Sequence, residues 1–305
     1  MRGYMIEYQN GNANITLYED GTRIIETEDA YLDLEQPLNI DLRLLNRCSN
    51  GYNPKTGKAV CPWCHELQTT TGAECDYSLL MSKLEGLTPG IELAIGGNEL
   101  TTGLLSFIEW CYLKGFIVNL TVNQIHLSTF SSSLKELIGK GFIKGLGISY
   151  RSSNIQVDPF FIGYEHSILH CIAGLNTIEE VLETPFSKVL VLGYKTHGSG
   201  IDYYSLFSSS IDKNIRDWQM YLPKLFGKKH LSFDNLAIEQ LKVDRFFNNE
   251  DWNTFYQGEE SIYLNAVEGY YAPSSRTNEG KADWESVSLK DYYKRLKLIT
   301  KEIDV

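Results

Sequence analysis

Apolar and polar residues alternate in the first part of the chain, on both sides of one short turn. The segment NITLYEDGTRIIETED carries this alternation around Asp20-Gly21. Alternation predicts half-buried strands, and Asp-Gly between two such runs predicts a β-hairpin. We therefore expect a β-hairpin extension at 1–36, which covers one end of a larger domain at 37–305.

From residue 37 onward, short apolar runs alternate with segments of helical period. The strand-like runs are 37–45, 91–97, 116–124, 142–151, 167–175, 188–195, 230–235 and 261–269. The helical segments are 78–87, 101–114, 131–140, 177–183, 211–226 and 289–301. Strands that alternate with helices predict parallel βα units. We therefore expect an α/β fold, a complete or nearly complete (βα)8 TIM-like barrel of parallel strands with a C-terminal helix.

Composition and charge narrow the function classes. The chain has 305 residues, 43% of them hydrophobic, and a net charge of −11. This acidic balance argues against an extended nucleic-acid surface, which needs a basic face. No run reaches about 18 apolar residues, and the N-terminal segment lacks a signal-peptide core. We therefore expect a cytoplasmic protein that neither enters nor contacts a membrane.

Three of the six cysteines lie in one segment, NRCSNGYNPKTGKAVCPWCHE. Cys48, Cys61 and Cys64 form a C-x12-C-x2-C array. The Cys-x-x-Cys turn brings two sulfurs to one metal centre, and the longer gap can return a third sulfur there. The spacing leaves three interpretations open. They are a zinc site completed by His65, Cys75 or another residue, a redox pair with Cys48 incidental, and a 4Fe-4S cluster with one iron free of protein ligands.

Polar residues and glycines collect where the predicted strands end. They include Gly96, Gly97, Glu99, Asn123, Ser149, Gly174, Lys195 and Asp234. In parallel βα architectures, functional groups lie at the carboxyl ends of the strands. This concentration, next to the cysteine array, indicates an enzyme.

These motifs resemble those of the radical S-adenosylmethionine (SAM) enzymes. A cysteine triad follows the first strand, Trp63 precedes its last cysteine, and Gly-Gly-x-Glu follows the second strand. The common family triad is C-x3-C-x2-C, and enzymes resembling the 7-carboxy-7-deazaguanine synthases have a longer first gap. Segments IDLRLLNRC, CPWCHE, GIELAIGGNEL, VNLTVNQIH, KVLVLGYKTHGSG and LSFDNLAIEQL are similar to a sparsely characterised group of phage and bacterial radical SAM proteins.

The resemblance implies two cofactors, a 4Fe-4S cluster and SAM. Cys48, Cys61 and Cys64 would ligate three irons, and SAM would chelate the fourth. An electron from a donor such as flavodoxin or ferredoxin would cleave SAM to a 5′-deoxyadenosyl radical, which abstracts hydrogen from a small-molecule or nucleotide-like substrate. The implied cofactor-binding positions are Trp63, Gly96, Gly97, Glu99, Asn123, Ser149, Ile172 and Gly174.

Lys195 and Asp234 follow the sixth and seventh predicted strands, where the cofactor would leave space for a substrate. We expect both to be catalytic, with Lys195 contacting an anionic group of the substrate. A salt bridge between the two residues is the alternative. Two other functions remain open from the sequence: a hydrolase or lyase with a four-cysteine zinc site, and a non-catalytic interaction module.

Overall fold

A computed structural model describes residues 4–19, 22–96, 99–248, 260–275, 277 and 279–303. The N-terminal part is an antiparallel sheet of β1 (Tyr4–Asn10), β2 (Ala13–Tyr18) and β3 (Arg23–Glu26). The predicted pairing of two strands is confirmed between β2 and β3, and β1 adds a third strand. The Asp20-Gly21 turn lies outside the described residues. β2 buries Ala13, Ile15 and Leu17, the alternate positions of its sequence.

A short hairpin, β5 (Arg47–Asn53) and β6 (Lys58–Ala59), follows the first strand of a ten-stranded main sheet. Seven parallel pairings join eight strands of that sheet. In spatial order they are β12 (His230–Phe233), β11 (Lys188–Leu192), β10 (Ser167–Ile172), β9 (Gly145–Ser149), β8 (Ile117–Asn123), β7 (Glu92–Gly96), β4 (Asn39–Arg43) and β13 (Ser261–Asn265). Each lies within a predicted strand.

The prediction of a complete or nearly complete barrel is wrong. Closure would require β12 to pair with β13, and the described residues contain no such pairing. The free edge of β13 instead pairs antiparallel with β14 (Tyr270–Ala272), which pairs in turn with β15 (Ala282–Asp283). Because each strand has only two edges, β14 occupies the hydrogen-bonding groups that closure would need. The fold is a mixed, open α/β sheet.

Helices connect most of the parallel strands. Those in the described ranges are α1 (Tyr77–Leu84), α2 (Thr102–Leu113), α3 (His126–Thr129), α4 (Ser131–Gly139), α5 (Pro159–Gly163), α6 (Ile178–Glu183), α7 (Ser199–Tyr221), α8 (Asn235–Leu241) and α9 (Leu289–Ile303). Side-chain oxygens of Asp76, Thr101 and Thr177 cap α1, α2 and α6, which satisfies N–H groups at their first turns. None of the helices seen in these ranges is both long and apolar enough to span a bilayer.

The two faces of the main sheet differ in polarity. Successive side chains of a strand point to opposite faces, so alternate residues share one face. One face buries aliphatic residues such as Ile40, Leu93 and Val118 in the core. The other face, here called the polar face, carries Asp41, Arg43, Ala94, Asn119, Thr121, Asn123, Ser149 and His170, none of them fully buried. This face, rather than the core, offers groups for chemistry.

The N-terminal sheet is attached at the start of the parallel strands. Arg23 of β3 forms an ion pair with Glu92, the first residue of β7, and lies 3.3 Å from the side-chain oxygen of Asn39. Asn119 donates to the other Glu92 oxygen at 3.1 Å. The described part of the extension therefore contacts the main sheet near the amino ends of β4 and β7.

His170 on β10 provides a pH test of the polar face. Its ring fills the space beside Gly147, where an added Cβ would lie 2.5 Å from the His170 Cε1 atom. Burial lowers the pKa of His170 from 6.5 to about 4. The unfolded chain therefore binds a proton in this interval that the folded chain does not, so the free energy of unfolding falls as pH drops from 6.5 towards 4.

We expect His170→Gln to remove up to about 3 kcal/mol of this pH dependence, because glutamine does not titrate. Urea unfolding at pH 7 and at pH 4 measures the difference. His230→Gln, at an exposed position on β12, is the matched control and should keep the wild-type dependence. Equal dependence in His170→Gln and wild type would contradict the lowered pKa of His170.

Candidate functional site

The cysteine segment forms a hairpin that returns to its starting point. β5 and β6 pair antiparallel, with Tyr52 opposite Ala59. Beyond β6, the N–H groups of Val60 and Cys61 donate to the Asn50 carbonyl at 3.1 and 3.0 Å. The long gap between the first two cysteines thus closes on itself, which confirms the returning loop that the array requires.

Cys61 and Cys64 lie on one tight turn. The Cys64 N–H donates to the Cys61 carbonyl at 3.2 Å. Burial raises the pKa of Cys64, and the backbone N–H groups of Gln68 and Glu66 that hydrogen-bond its sulfur partly offset the rise. Such N–H groups stabilise a thiolate, the form of cysteine that binds metals.

The three thiols influence one another electrostatically. Burial, together with the nearby Cys61 and Cys64 thiols, raises the pKa of Cys48 to about 11. Burial also raises the pKa of Cys61, which Arg151 lowers and Cys64 raises further. All three are free thiols. Because charges interact strongly only at short range, the three sulfurs share one region of the protein.

Thiolates are ligands for both zinc and iron–sulfur clusters, so the donor set suits either group. In the ranges that the structure describes, no group of three or more His, Cys, Asp or Glu side chains is arranged to hold a metal ion. That finding concerns ligands gathered around one ion. The three cysteines match a cluster in donor type.

Cys75 lies in a different environment from the triad. Burial, with Glu74 and Asp76, raises its pKa to about 12. Burial and the Cys75 thiol both raise the pKa of Tyr77, which places this cysteine beside a phenol. The described side chains thus do not form the four-cysteine shell that a structural zinc site would need.

Glu99 forms an ion pair next to the first cysteine. Arg47 Nε donates to Glu99 Oε2 at 2.7 Å, and this bond raises the pKa of Arg47. Glu99 is also among the charges that raise the pKa of Cys48, so its carboxylate lies near that thiol. Gly96 ends β7 and is exposed. Gly97, the other glycine predicted to bind the cofactor, lies outside the described residues.

Asn123 and Ser149 are register partners at the ends of β8 and β9. The Asn123 Nδ2 atom lies 3.9 Å from the Cys61 sulfur, and its Oδ1 accepts the N–H of Ile125 at 3.0 Å. The second bond fixes the amide so that its N–H2 group points to the cysteine. The structure therefore places Asn123 next to the cysteine triad, and Ser149 next to Asn123.

Ile172 and Gly174 lie at the turn that follows β10. The Ile172 N–H donates to the Asn176 side chain at 2.8 Å. A Cβ on Gly174 would lie 2.9 Å from atoms of both Ile211 and Tyr194. The lack of a side chain at Gly174 thus permits close packing of α7, independently of any adenine contact.

Trp63 packs between two side chains from separate parts of the chain. The guanidinium carbon of Arg151 lies 4.3 Å from the Trp63 ring centre, within the range of a cation–π contact. The Tyr203 ring meets it edge-on at 5.3 Å. Arg151 also donates to the Val60 carbonyl at 2.9 Å. It therefore ties the end of β9 to the cysteine hairpin.

Lys195 reaches the cysteine turn through His65. Its Nζ lies 3.4 Å from His65 Nε2, which is 3.2 Å from Glu66 Oε1. The other Glu66 oxygen lies 3.1 Å from Arg43 Nε. Burial favours a raised pKa for Glu66, but the His65 hydrogen bond and the charges of Arg43 and Lys195 lower it overall. Lys195 thus belongs to a row of polar and charged side chains that runs from the end of β11 to β4.

Asp234 has a different setting from Lys195. Its Oδ1 accepts the N–H groups of Gly193 at 2.9 Å and Ala237 at 2.7 Å, so it caps α8 and fixes the turn after β11. The salt bridge to Lys195 considered from the sequence is not formed within the described residues, where Lys195 faces His65 instead.

The turn after β11 presses against the cysteine turn. Ser199 N–H donates to the Cys64 carbonyl at 3.1 Å. Gly198 has φ 55°, and a Cβ there would lie 2.5 Å from the His65 carbonyl oxygen. Only glycine accepts both the positive φ and the close approach.

Several residues on the polar face were missed by sequence reasoning. A cavity of about 230 Å³ lies there, lined by Asp41, Arg43, Glu66, Gly96, Thr121 and Tyr263, among others. His126 was also missed as a support: its Nε2 lies 2.8 Å from Ser49 Oγ and 2.9 Å from Asn50 Nδ2, which braces β5. For Asp41 and Arg43 the signal was present, because IDLRL places two charges on the same face of a strand.

Comparison with known proteins gives no match, either to a family model or to a curated protein. The residues and geometry of this site therefore provide the basis for a functional conclusion.

Proposed function

We propose that this protein is a radical SAM enzyme that acts on a small-molecule or nucleotide-like substrate. One observation carries the proposal: Cys61 lies at the carboxyl end of β8, and the Cys48 and Cys64 thiols lie within electrostatic range of it. It is supported by the contact between Asn123 and the Cys61 sulfur, and by the Glu99 carboxylate near Cys48.

In this proposal, Cys48, Cys61 and Cys64 would hold a 4Fe-4S cluster. When bound, such a cluster supplies the electron that cleaves SAM to a radical capable of hydrogen abstraction. The N–H groups that hydrogen-bond Cys64 and the Asn123 amide near Cys61 stabilise negative charge on the sulfurs. These donors favour a charged cluster in a partly buried site.

The remaining site residues would bind and orient SAM. Glu99, fixed by Arg47, presents a carboxylate that can accept hydrogen bonds from the methionyl amine. Trp63, held by Arg151, offers an aromatic surface beside the cysteine turn. Ser149 offers a hydroxyl on the polar face of the main sheet. A redox protein such as flavodoxin or ferredoxin would supply the electron.

Lys195 would serve the substrate. Its ammonium group lies 3.4 Å from the ring of His65, the residue that follows Cys64, and the Lys195 side chain is only partly exposed. A partly desolvated cation attracts an anionic group more strongly than one in bulk water. Asp234 would act mainly through the turn that it fixes, because its Oδ1 already accepts two backbone N–H groups.

The test is anaerobic purification followed by metal and sulfide assay. We expect about four irons per chain and a brown absorbance band near about 400 nm. Incubation of that protein with SAM and a strong reductant should then yield 5′-deoxyadenosine. One zinc per chain without iron, or a loaded cluster that never cleaves SAM, would contradict the proposal.

A further inference from the structure

The cavity on the polar face has at its centre an acid, Asp41, that accepts no hydrogen bond from the described residues. Asp41 lies in the middle of β4, and its register partners are Tyr263 on β13 and Ala94 on β7. All three line the cavity. Register partners on parallel strands project to the same face. Asp41 therefore lies between an aromatic side chain and a methyl group, with open space above it.

Small residues keep that space open. Beyond Ala94, the cavity borders Gly96, which has no side chain, and Thr121, its register partner on β8. These small residues form the floor of the cavity on one side of Asp41, and the Tyr263 side chain forms a wall on the other side. The volume of about 230 Å³ is suited to a one- or two-ring molecule rather than to a few waters.

The Asp41 carboxylate has no hydrogen-bond partner among the described residues. It is exposed on the strand, yet desolvation by the surrounding protein raises its pKa, which the charge of Lys195 lowers and that of Glu66 raises further. Neither nearby cation donates a described hydrogen bond to it. Arg43 pairs with Glu66 and Glu268, and Lys195 lies against His65.

A carboxylate in this position gains most from a ligand with N–H donors. Partly desolvated acids without partners are costly, and charged hydrogen bonds compensate for that cost. Two parallel N–H groups match the two oxygens of a carboxylate in a bidentate pair. The flat floor and the Tyr263 wall favour a planar molecule over a branched one.

We propose that Asp41 binds the substrate, and that the cavity accepts a small planar nitrogen heterocycle through an amidine-like edge with two N–H donors. The role as a substrate site rests on the proposed function. The binding site itself rests only on the cavity and on the acid without a described hydrogen-bond partner.

The experiment uses the full-length protein as purified, without reductant or SAM, and 2-aminobenzimidazole as the probe. Its dissociation constant is measured by ligand-observed NMR for wild type, Asp41→Asn and Glu109→Gln. Glu109 is exposed on α2 and serves as the matched control. We expect Asp41→Asn to weaken binding by about tenfold to a hundredfold, as for loss of a charged hydrogen bond. Glu109→Gln should bind like wild type.

Two further readouts make the outcome decisive. Benzoate, a planar anion of similar size, should bind wild type more weakly than the probe. Asp41→Asn should melt close to wild type, because Asp41 accepts no described hydrogen bond and the attraction of Lys195 is opposed by the repulsion of Glu66. Equal probe binding by wild type and Asp41→Asn, no probe binding to wild type, or tighter binding of benzoate would each overturn the proposal. Because the assay involves no cofactor chemistry, its result is separate from that of the iron assay.

Discussion

Replacement of Cys64 by alanine should reduce bound iron from about four per chain to near zero, with loss of 5′-deoxyadenosine formation. Each triad cysteine would supply one of only three protein ligands, so none is redundant. Cys64 is the most informative position, since its sulfur accepts hydrogen bonds from two backbone N–H groups. Cys48→Ala and Cys61→Ala should give the same result. Iron and sulfide assay after anaerobic purification measures it.

Cys75→Ala is the matched control for the triad variants. Its thiol is buried beside Tyr77 and does not belong to the triad. We therefore expect this variant to keep its iron, with at most a modest loss of stability from a smaller buried side chain. If Cys75→Ala and Cys64→Ala both lost one zinc and neither wild type nor variant held iron, a four-cysteine zinc site would replace the cluster.

Gly198→Ala should lower the free energy of unfolding and weaken the cysteine site together. The residue has φ 55° and ψ −137°, a conformation that costs a residue with a Cβ about 1–3 kcal/mol. The new methyl group would also lie 2.5 Å from the His65 carbonyl oxygen, so the two turns must separate. Urea unfolding measures the first effect. Iron retained after incubation with a chelator measures the second.

Gly227→Ala separates backbone strain from the loss of that contact. Gly227 also has a positive φ of 72°, but a Cβ there would meet nothing within 4 Å. We expect a cost of about 1–2 kcal/mol from φ alone and no change in iron retention. Equal iron retention in both variants would show that the turn at Gly198 does not support the cysteine site.

The strands of the main sheet were predictable because their apolar runs are long and buried. That the sheet stays open was not predictable from the sequence, because the strands that keep it open, β14 and β15, are very short. These strands cover only 270–272 and 282–283. Three residues around Tyr271 and two around Ala282 are too short to show a period. Yet β14 occupies the edge of β13 on which a barrel depends.

The site was predictable where the chemistry is local in sequence. The Cys-x-x-Cys turn and the returning hairpin follow from residues within one segment. Asp234 shows the opposite case. An acid that follows a strand can be a catalytic group or a helix N-cap, and only the folded structure shows which N–H groups it accepts. The alternation in IDLRL places Asp41 and Arg43 on one face of a strand, but only the assembled sheet shows that this face borders a cavity.

The outer strands of the parallel set, β12 and β13, do not pair with each other, and this has a mechanical consequence. No backbone hydrogen bond joins β12 to β13 in the described ranges, so their separation is not fixed by ladder geometry. A ring of strands must break such bonds to expand, whereas this sheet can widen between β12 and β13 without breaking a ladder bond.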